Sequence, residues 1–482
     1  MKTCRLKVVL FVLLLTTSTS LWCQQKYWIY FNPQTLQTFD QQVRNITEQG
    51  IEPVVTSQWL KAVSAYLTKG QLQVLASNNS IKYITPVMGY TIASAIENVD
   101  TLKISTPISQ INGAALHKAG YSGKGIKIGI IDGGFHRSDK EKKLADIIMD
   151  DRVLGYRNFI EKHLSDPYID SRKSNAYHGT RVWLSIAGRH GKLMSGLAPD
   201  ASFYLARTDQ SDREYRGEED NWVAALEWMY DEGVRLVNSS LGYSDGYDLL
   251  EEDYTPIDVD GKSSAITQAA QIAAEEKGML IVISAGNDGN KKFKVISIPS
   301  DAKGVLTVGA TDHPYWTKAP YSSVGPGTLS YVKPDVACFS RDGTSFSAPI
   351  ITGLAACIME ANKELSNKEV KNMILASSHL NARPNNFLGH GVPDARKIVR
   401  ALHQADMKHI PVIQIKSDNN TVIIPSRQSN MVAFHTLDKR NILGQERLTI
   451  RREGCHVSRK KNAIFTIVAS KTHIWEIEWE LP

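Results

Sequence analysis

Four short stretches of this chain hold side chains of the kinds that acyl transfer needs. Gly129-Ile130-Ile131-Asp132-Gly133-Gly134-Phe135 sets an acid at the end of a β-branched run, the place where open α/β sheets put their ligands. Tyr177-His178-Gly179-Thr180 opens a helix-like segment reaching Ala187, so backbone contacts can hold this histidine while its ring faces a cleft. Asp342-Gly343-Thr344-Ser345-Phe346-Ser347-Ala348-Pro349 runs into an apolar helix. Its small residues allow a sharp turn with Ser345 at a helix start, where free N–H groups and the dipole favour developing negative charge. Ser284-Ala285-Gly286-Asn287-Asp288-Gly289 follows another apolar run. An amide at a glycine-flanked strand end is shaped to donate to a tetrahedral oxyanion.

Taken singly, each residue has a plainer reading. Asp132 could bind a ribose or a metal, His178 could be structural, Ser345 could be an ordinary helix cap, and Asn287 could sit in a turn. Together they complement one another. A serine hydroxyl needs a base at neutral pH, and the base needs an orienting carboxylate. The chain order is Asp, His, Ser. Chymotrypsin runs His, Asp, Ser and the α/β-hydrolases Ser, Asp, His; the G-x-S-x-G elbow of the latter is absent around Ser345.

The elements that must position these groups follow from the hydropathy pattern. Residues 125–131, 234–238, 279–283 and 304–308 are β-branched runs of the kind buried on both sheet faces. Helical patterns lie between and after them at 222–232, 264–278, 348–362 and 367–378. Strands alternating with helices predict an α/β fold, a doubly wound and mainly parallel sheet, over residues 110–404. Residues 25–90 read as a small α+β unit, with strands at 27–31 and 81–84, helices at 35–48 and 70–76, and extended chain over 53–64. Residues 91–109 read as a linker. Residues 405–482 read as a small β-sandwich with strands at 412–415, 422–424, 447–451 and 464–468. Its last strand sets Trp475, Ile477, Trp479 and Leu481 on one face and Glu476, Glu478 and Glu480 on the other.

The chain resembles the subtilisin-like serine proteases (subtilases) over roughly residues 113–402. The resemblance is carried, in order, by Asp132-Gly133-Gly134, His178-Gly179-Thr180, Gly196-Leu197-Ala198-Pro199 and Asn238-Ser239-Ser240-Leu241-Gly242. Ala285-Gly286-Asn287, Ser322-Ser323-Val324-Gly325-Pro326, Lys333-Pro334-Asp335-Val336 and Gly343-Thr344-Ser345 continue it. It implies a subtilisin-like fold and a serine endopeptidase with Ser345 as nucleophile, His178 as general base and then acid, and Asp132 as its orienting partner. It further implies an oxyanion hole of Asn287 and the Ser345 N–H, with Ser240, Leu241, Gly242 and Gly286 along the bound peptide. The 25–90 unit resembles the family's inhibitory propeptides, with a strand expected over 57–64 and self-cleavage between about residues 87 and 107. No cofactor is needed for the chemistry; calcium is common in the family, but no calcium loop can be read.

The remaining features narrow the setting. Lys2, Arg5 and Lys7, an apolar run over 8–15 and a small polar stretch over 16–20 have the layout of a secretory signal peptide, taken here as residues 1–24. A secreted or periplasmic protein is therefore expected, a monomer without a transmembrane segment. A net charge of +6 gives no basis for binding nucleic acid, which would need a concentrated basic stripe. Of the five cysteines, Cys338, Cys357 and Cys455 lie beyond the leader. Cys338 and Cys357 could pair, or serve as small buried apolar residues. The chain also departs from the family. Arg181 stands where the usual motif has a second histidine, Trp183 and Leu184 stand where it has Ala-Gly, and the segment 337–342 before Gly343 is unusually short. Glu218, Glu219 and Asp220 form an acidic cluster near the expected groove; with Asp288 it suggests a mild preference for basic substrates, though a solvated helix start explains it equally well.

Overall fold

A computed structural model of the chain describes residues 25–86, 105–169, 174–210, 215, 217–245, 253–403, 407, 410–426, 428 and 430–480. The expected signal peptide, residues 1–24, and nearly all of the expected processing stretch lie outside these residues. The chain divides after Val87 into two compact units.

The first unit is a four-stranded antiparallel sheet in the order Pro53–Ser57, Ala62–Leu67, Gln25–Phe31, Ile81–Pro86. Helices Phe39–Glu48 and Lys69–Ala76 both begin in capping boxes, Thr38 with Gln41 and Thr68 with Gln71, which satisfy the first free N–H groups. Ile29, Phe31, Val63, Ala65 and Leu67 of the sheet pack on Ile46 and Leu75 of the helices. The strand expected over 57–64 is instead two strands and a turn. The Ser57 hydroxyl accepts the Leu60 N–H at 3.1 Å, and Lys61 takes a positive φ of 48°, which ends the extended run.

The second unit is built on a seven-stranded sheet in which every pairing is parallel. Its order is Val336–Phe339, Leu306–Thr311, Leu280–Ser284, Leu236–Ser239, Lys127–Asp132, Ser202–Arg207, Val153–Asn158. Ile128, Ile130 and Ile131 are all fully buried, as a strand covered on both faces requires. Three strands went unread in the sequence. Val153–Asn158 is interrupted by Gly155 and Arg157, and Ser202–Arg207 is a short apolar stretch with polar ends. Its buried Arg207 is tolerated because it donates to Glu161 at 2.7 Å and to the Gly133 carbonyl at 3.2 Å. Val336–Phe339 is short and follows a proline.

Helix Ala348–Ala361 runs through the core with residues 348–358 all buried. The stretch Thr344–Ala361 is long and apolar enough to cross a membrane, but it is a core helix, mostly enclosed by the protein. Helix His178–Ala187 packs beside it through Val182, Trp183 and Ile186, and Trp183 meets Phe203 at 5.3 Å between ring centroids. This unit also reaches further upstream than expected. Thr106–Gln110 is a short helix, and the Gln110 amide bridges Thr311 (2.9 Å) and the Phe339 N–H (2.6 Å), so residues 105–109 belong to the folded unit rather than to the linker. Cys338, Cys357 and Cys455 are free and buried. The Cys338 and Cys357 thiols donate to the Ser347 and Leu197 carbonyls instead of pairing.

The C-terminal region is a sandwich. Its five-stranded sheet has the order Val412–Ser417, Ile474–Trp479, Phe465–Ala469, Val432–Thr436, Ile442–Arg447; its three-stranded sheet has Thr421–Ile424, Gly454–Ser458, Ile450–Arg451. Trp475, Ile477 and Trp479 face Ile424, Cys455 and Val457 across the interior. The opposite face of the larger sheet is covered as well: Val432, Phe434, Ile467 and Ile474 pack on Ala337, Leu380 and Leu388 of the α/β layer. Glu476 is therefore not on a solvent face. It is 4% exposed and paired with Arg383 and with Lys439 (2.7 Å).

Burial alone would raise the Glu476 pKa, but hydrogen bonds from Lys439 and Arg383 and their charges hold it below the usual glutamate value. A carboxyl with a lowered folded-state pKa stabilises the fold above its unfolded value, about 4.3, and loses that effect as pH falls through the folded one. Glu476→Gln should thus cost about 1–2 kcal/mol at pH 7, a figure reduced for the partly solvated cations. The deficit should shrink below about pH 4 in denaturant titrations. A deficit that stays constant down to pH 3 would assign the effect to packing.

Candidate active site

In the large sheet the strand order turns back at Lys127–Asp132. The next two strands in sequence lie to one side of it and the later four to the other. Such a switch point opens a crevice beyond the C-terminal strand ends. Asp132 closes its strand there, Ser240 directly follows Leu236–Ser239, and Ala285-Gly286-Asn287 directly follow Leu280–Ser284.

Asp132 is fully buried. Its Oδ1 accepts the Gly133 N–H at 2.8 Å and the His178 Nδ1–H at 2.7 Å, which fixes the imidazole tautomer with Nε2 as the basic nitrogen. The contact depends on a close approach of helix to strand end. A Cβ on Gly179 would lie 2.4 Å from the Gly134 carbonyl oxygen and 3.0 Å from the Asp132 Cβ, so the residue after the histidine must be glycine. Burial works against a charged His178 ring and Arg181 adds to that effect. The Asp132 charge and hydrogen bond, helped by Asp209, outweigh both and leave the imidazole pKa raised.

Ser345 lies in a 3-10 turn, Thr344–Phe346, directly before the core helix. Gly343 enters that turn at φ +125°, a conformation that L side chains rarely adopt. Asn287 Oδ1 accepts from both the Thr344 N–H (2.9 Å) and the Thr344 hydroxyl (3.1 Å). The amide oxygen is thereby occupied and the Nδ2 donor is left for the crevice. Gly286, at φ +102°, donates its N–H to the Thr344 hydroxyl at 3.1 Å. The Ser345 hydroxyl itself rests on the Ser240 carbonyl at 3.3 Å and is not bonded to His178; in return the Ser240 hydroxyl donates to the Ser345 carbonyl at 2.8 Å. Leu241 is buried, and a Cβ on Gly242 would strike the Ser297 side chain. Residues 240–242 can therefore meet a peptide mainly through backbone atoms.

The structure adds one residue that the sequence did not single out. Asp209, just beyond the Ser202–Arg207 strand, is buried near the His178–Asp132 pair. Burial and the Asp132 charge push its pKa up to about 6, against the opposing effects of Glu218, His178 and Arg207. Arg181 Nη2 pairs with Asp342 Oδ2 at 2.8 Å, and its guanidinium lies 4.1 Å from the Phe346 ring centroid. Glu218, Glu219 and Asp220 are buried rather than solvated. Glu218 accepts the Gln210 N–H and Glu219 accepts the Tyr254 hydroxyl. Asp288 is tied to Ser244 and Lys291. These carboxylates do not form the open acidic rim that a preference for basic residues would use. Among the described residues there is no group of three or more His, Cys, Asp or Glu side chains that could hold a metal ion.

This arrangement defines a serine hydrolase built on a parallel sheet, and comparison with known proteins specifies it. The sequence model of the subtilase family matches residues 123–391. Subtilisin BL of Lederbergia lenta is 27% identical over 303 residues, 61% of this chain and 97% of that protein. An alkaline protease of Alkalihalobacillus alcalophilus is 26% identical over 392 residues, 78% of this chain and 92% of that protein. The solved structure of the epidermin leader peptide processing serine protease (EpiP) of Staphylococcus aureus shares the fold. It has a TM-score of 0.58 at 19% identity, covering 79% of this chain and 100% of that one. The chain belongs to the subtilase family and is a serine endopeptidase.

The raised pKa of His178 has a direct spectroscopic consequence. Its imidazole, followed by NMR, should titrate above the ordinary histidine value of about 6.5. In Asp132→Asn the midpoint should fall, because burial then acts without the carboxylate. An unchanged midpoint in that variant would remove Asp132 as the cause.

Proposed function

We propose that the chain cleaves peptide bonds through an acyl-enzyme on Ser345. The observation that carries this reading is the 2.7 Å contact of His178 with the buried Asp132, at the strand ends where Ser345 and Asn287 also lie. The Ser345 hydroxyl leaves the Ser240 carbonyl and gives its proton to His178 Nε2 as Oγ attacks the scissile carbonyl carbon. Such catalytic hydrogen bonds commonly form only once substrate is bound. The resulting oxyanion is met by Asn287 Nδ2 and the Ser345 N–H, both preorganised donors. The imidazolium, steadied by Asp132, returns its proton to the leaving amine as the C–N bond breaks. Water then repeats the sequence on the ester. Backbone groups of residues 240–242 and Gly286 pair with an extended peptide, a mode that admits many sequences. No cofactor takes part in these steps.

We further infer that the protein is made with a secretory leader and an N-terminal inhibitory unit that its own active site removes. The signal-like residues 1–24 and the small capped α+β unit over residues 25–86 support this. A monomer acting outside the cytoplasm is the simplest form of this reading.

Ser345→Ala should abolish labelling by a fluorophosphonate and leave the N-terminal unit attached, as mass spectrometry of the secreted protein would reveal. Normal trimming of that variant would mean that another protease matures the chain. Asn287→Ala should lower kcat by about 10²–10³-fold with little change in KM, the loss a subtilisin shows without its oxyanion amide. An unaltered kcat would remove Asn287 from the oxyanion hole.

A further inference from the structure

The segment that leads into the nucleophile, residues 340–344, is held at three points, Ser340, Asp342 and Thr344. Between the end of the Val336–Phe339 strand and Gly343 there are just Ser340, Arg341 and Asp342. The Tyr321 hydroxyl donates to the Ser340 carbonyl at 2.7 Å. Thr344 is fixed on Asn287. Asp342 pairs with Arg181 at 2.8 Å, a contact across 161 positions of sequence. Of these three, the ion pair is the one that reaches the helix carrying His178, since Arg181 lies one turn along from the histidine. The same guanidinium covers the Phe346 ring, and His178 also lies against that ring, 5.5 Å away between centroids.

We propose that Arg181 and Asp342 are positioning residues, whose ion pair ties the turn bearing Ser345 to the helix bearing His178 and so sets the geometry in which nucleophile and base meet. The proposal rests on the catalytic reading above. Where a longer segment could settle by packing against its own residues, three residues cannot. The turn here takes its placement from a partner on another element, and Arg181 supplies a planar donor suited to both a carboxylate and an aromatic face. The side chains are 22% and 20% exposed, so the pair adds modestly to stability. Its effect lies in alignment, where an error of about 1 Å can cost 10²-fold in rate.

The pair also acts on the base. The charged groups facing His178 are Asp132 from the sheet, Asp209 from the segment after Ser202–Arg207, and Arg181 from its own helix. The Ser345 turn adds Asp342, through Arg181. Arg181 disfavours the imidazolium and Asp342 offsets that charge, so removing either partner should move the His178 titration in opposite directions.

The test uses the full chain after maturation, with kcat counted per serine labelled by a fluorophosphonate. Arg181→Gln and Asp342→Asn should each lower kcat about 10-fold with KM changed less than about 2-fold, a loss kept well below the 10²-fold limit because the pair is partly solvated. The acid limb of kcat/KM should move to higher pH in Arg181→Gln and to lower pH in Asp342→Asn. Arg181→Lys, which keeps the charge but not the planar fork, should recover part of kcat, and Arg181→Asp with Asp342→Arg should exceed either reversed single variant. Wild-type kcat in both neutral variants overturns the proposal, as do pH shifts of the same sign, which a merely structural role would give. Failure of the wild type itself to label at Ser345 would instead sink the catalytic reading, and this proposal with it.

Discussion

A carboxylate with no solvent exposure is costly unless hydrogen bonds replace its water, and Asp132 takes them on Oδ1, from the Gly133 N–H and the His178 imidazole, while Oδ2 is buried without a partner among the described residues. Much of the α/β unit follows from satisfying this one group. The histidine must come from a helix whose first residues touch the strand end, so no Cβ can stand at position 179. The helix must be held there, and Val182, Trp183 and Ile186 anchor it in the main core. Trp183 and Leu184, departures from the usual family motif, lie further along this helix, while His178-Gly179-Thr180 at its start keep the motif.

The rest of the site depends on strand register. Ile131 pairs with Ser239, and Ser239 pairs with Ile283. The residues that come next, Asp132, Ser240 and Ser284, therefore line up at the C-terminal edge, and Gly286-Asn287 follow within three residues of it. A slip of one position in any of these strands would turn the whole set to the other face. The buried β-branched runs make such a slip expensive, so the core that stabilises the sheet also fixes the spacing of the site.

This explains which features were legible in the sequence. Strand ends bracketed by glycine, at Asp132 and at Gly286-Asn287, are local patterns and can be read locally. The central strands could be read for the same reason, since they are unbroken apolar runs. Val153–Asn158 is hard to read because Gly155 and Arg157 interrupt it, and Ser202–Arg207 because its short apolar stretch ends on a charged residue, Arg207, whose partner Glu161 is a neighbour only in the folded chain. Arg181 was visible as a departure from the family motif, but its partner Asp342 is a neighbour only in the folded chain. Glu476 reads as part of the polar face of an alternating strand, a pattern that ordinarily means one wet side. The sheet is covered on both sides, and two cations stand where water was expected.

That second cover bears on the nucleophile. Val336–Phe339 is the edge strand of the parallel sheet, and an exposed edge is free to pair with other chains. Here the Ala337 N–H donates to the Gly391 carbonyl at 3.0 Å. Ala337 also packs with Leu380 and Leu388 against Val432, Phe434 and Ile467 of the sandwich. A second tie lies nearby, where the Gln445 side chain bonds both the N–H and the carbonyl of Lys318. The edge strand runs, after three residues, into the turn of Ser345. A strand free to fray would pass its motion straight to that serine, because so short a segment has little slack to absorb it. The strand is thus enclosed from two sides, by the sandwich at Ala337 and by the start of the core helix, where Cys338 and Ser347 bond each other.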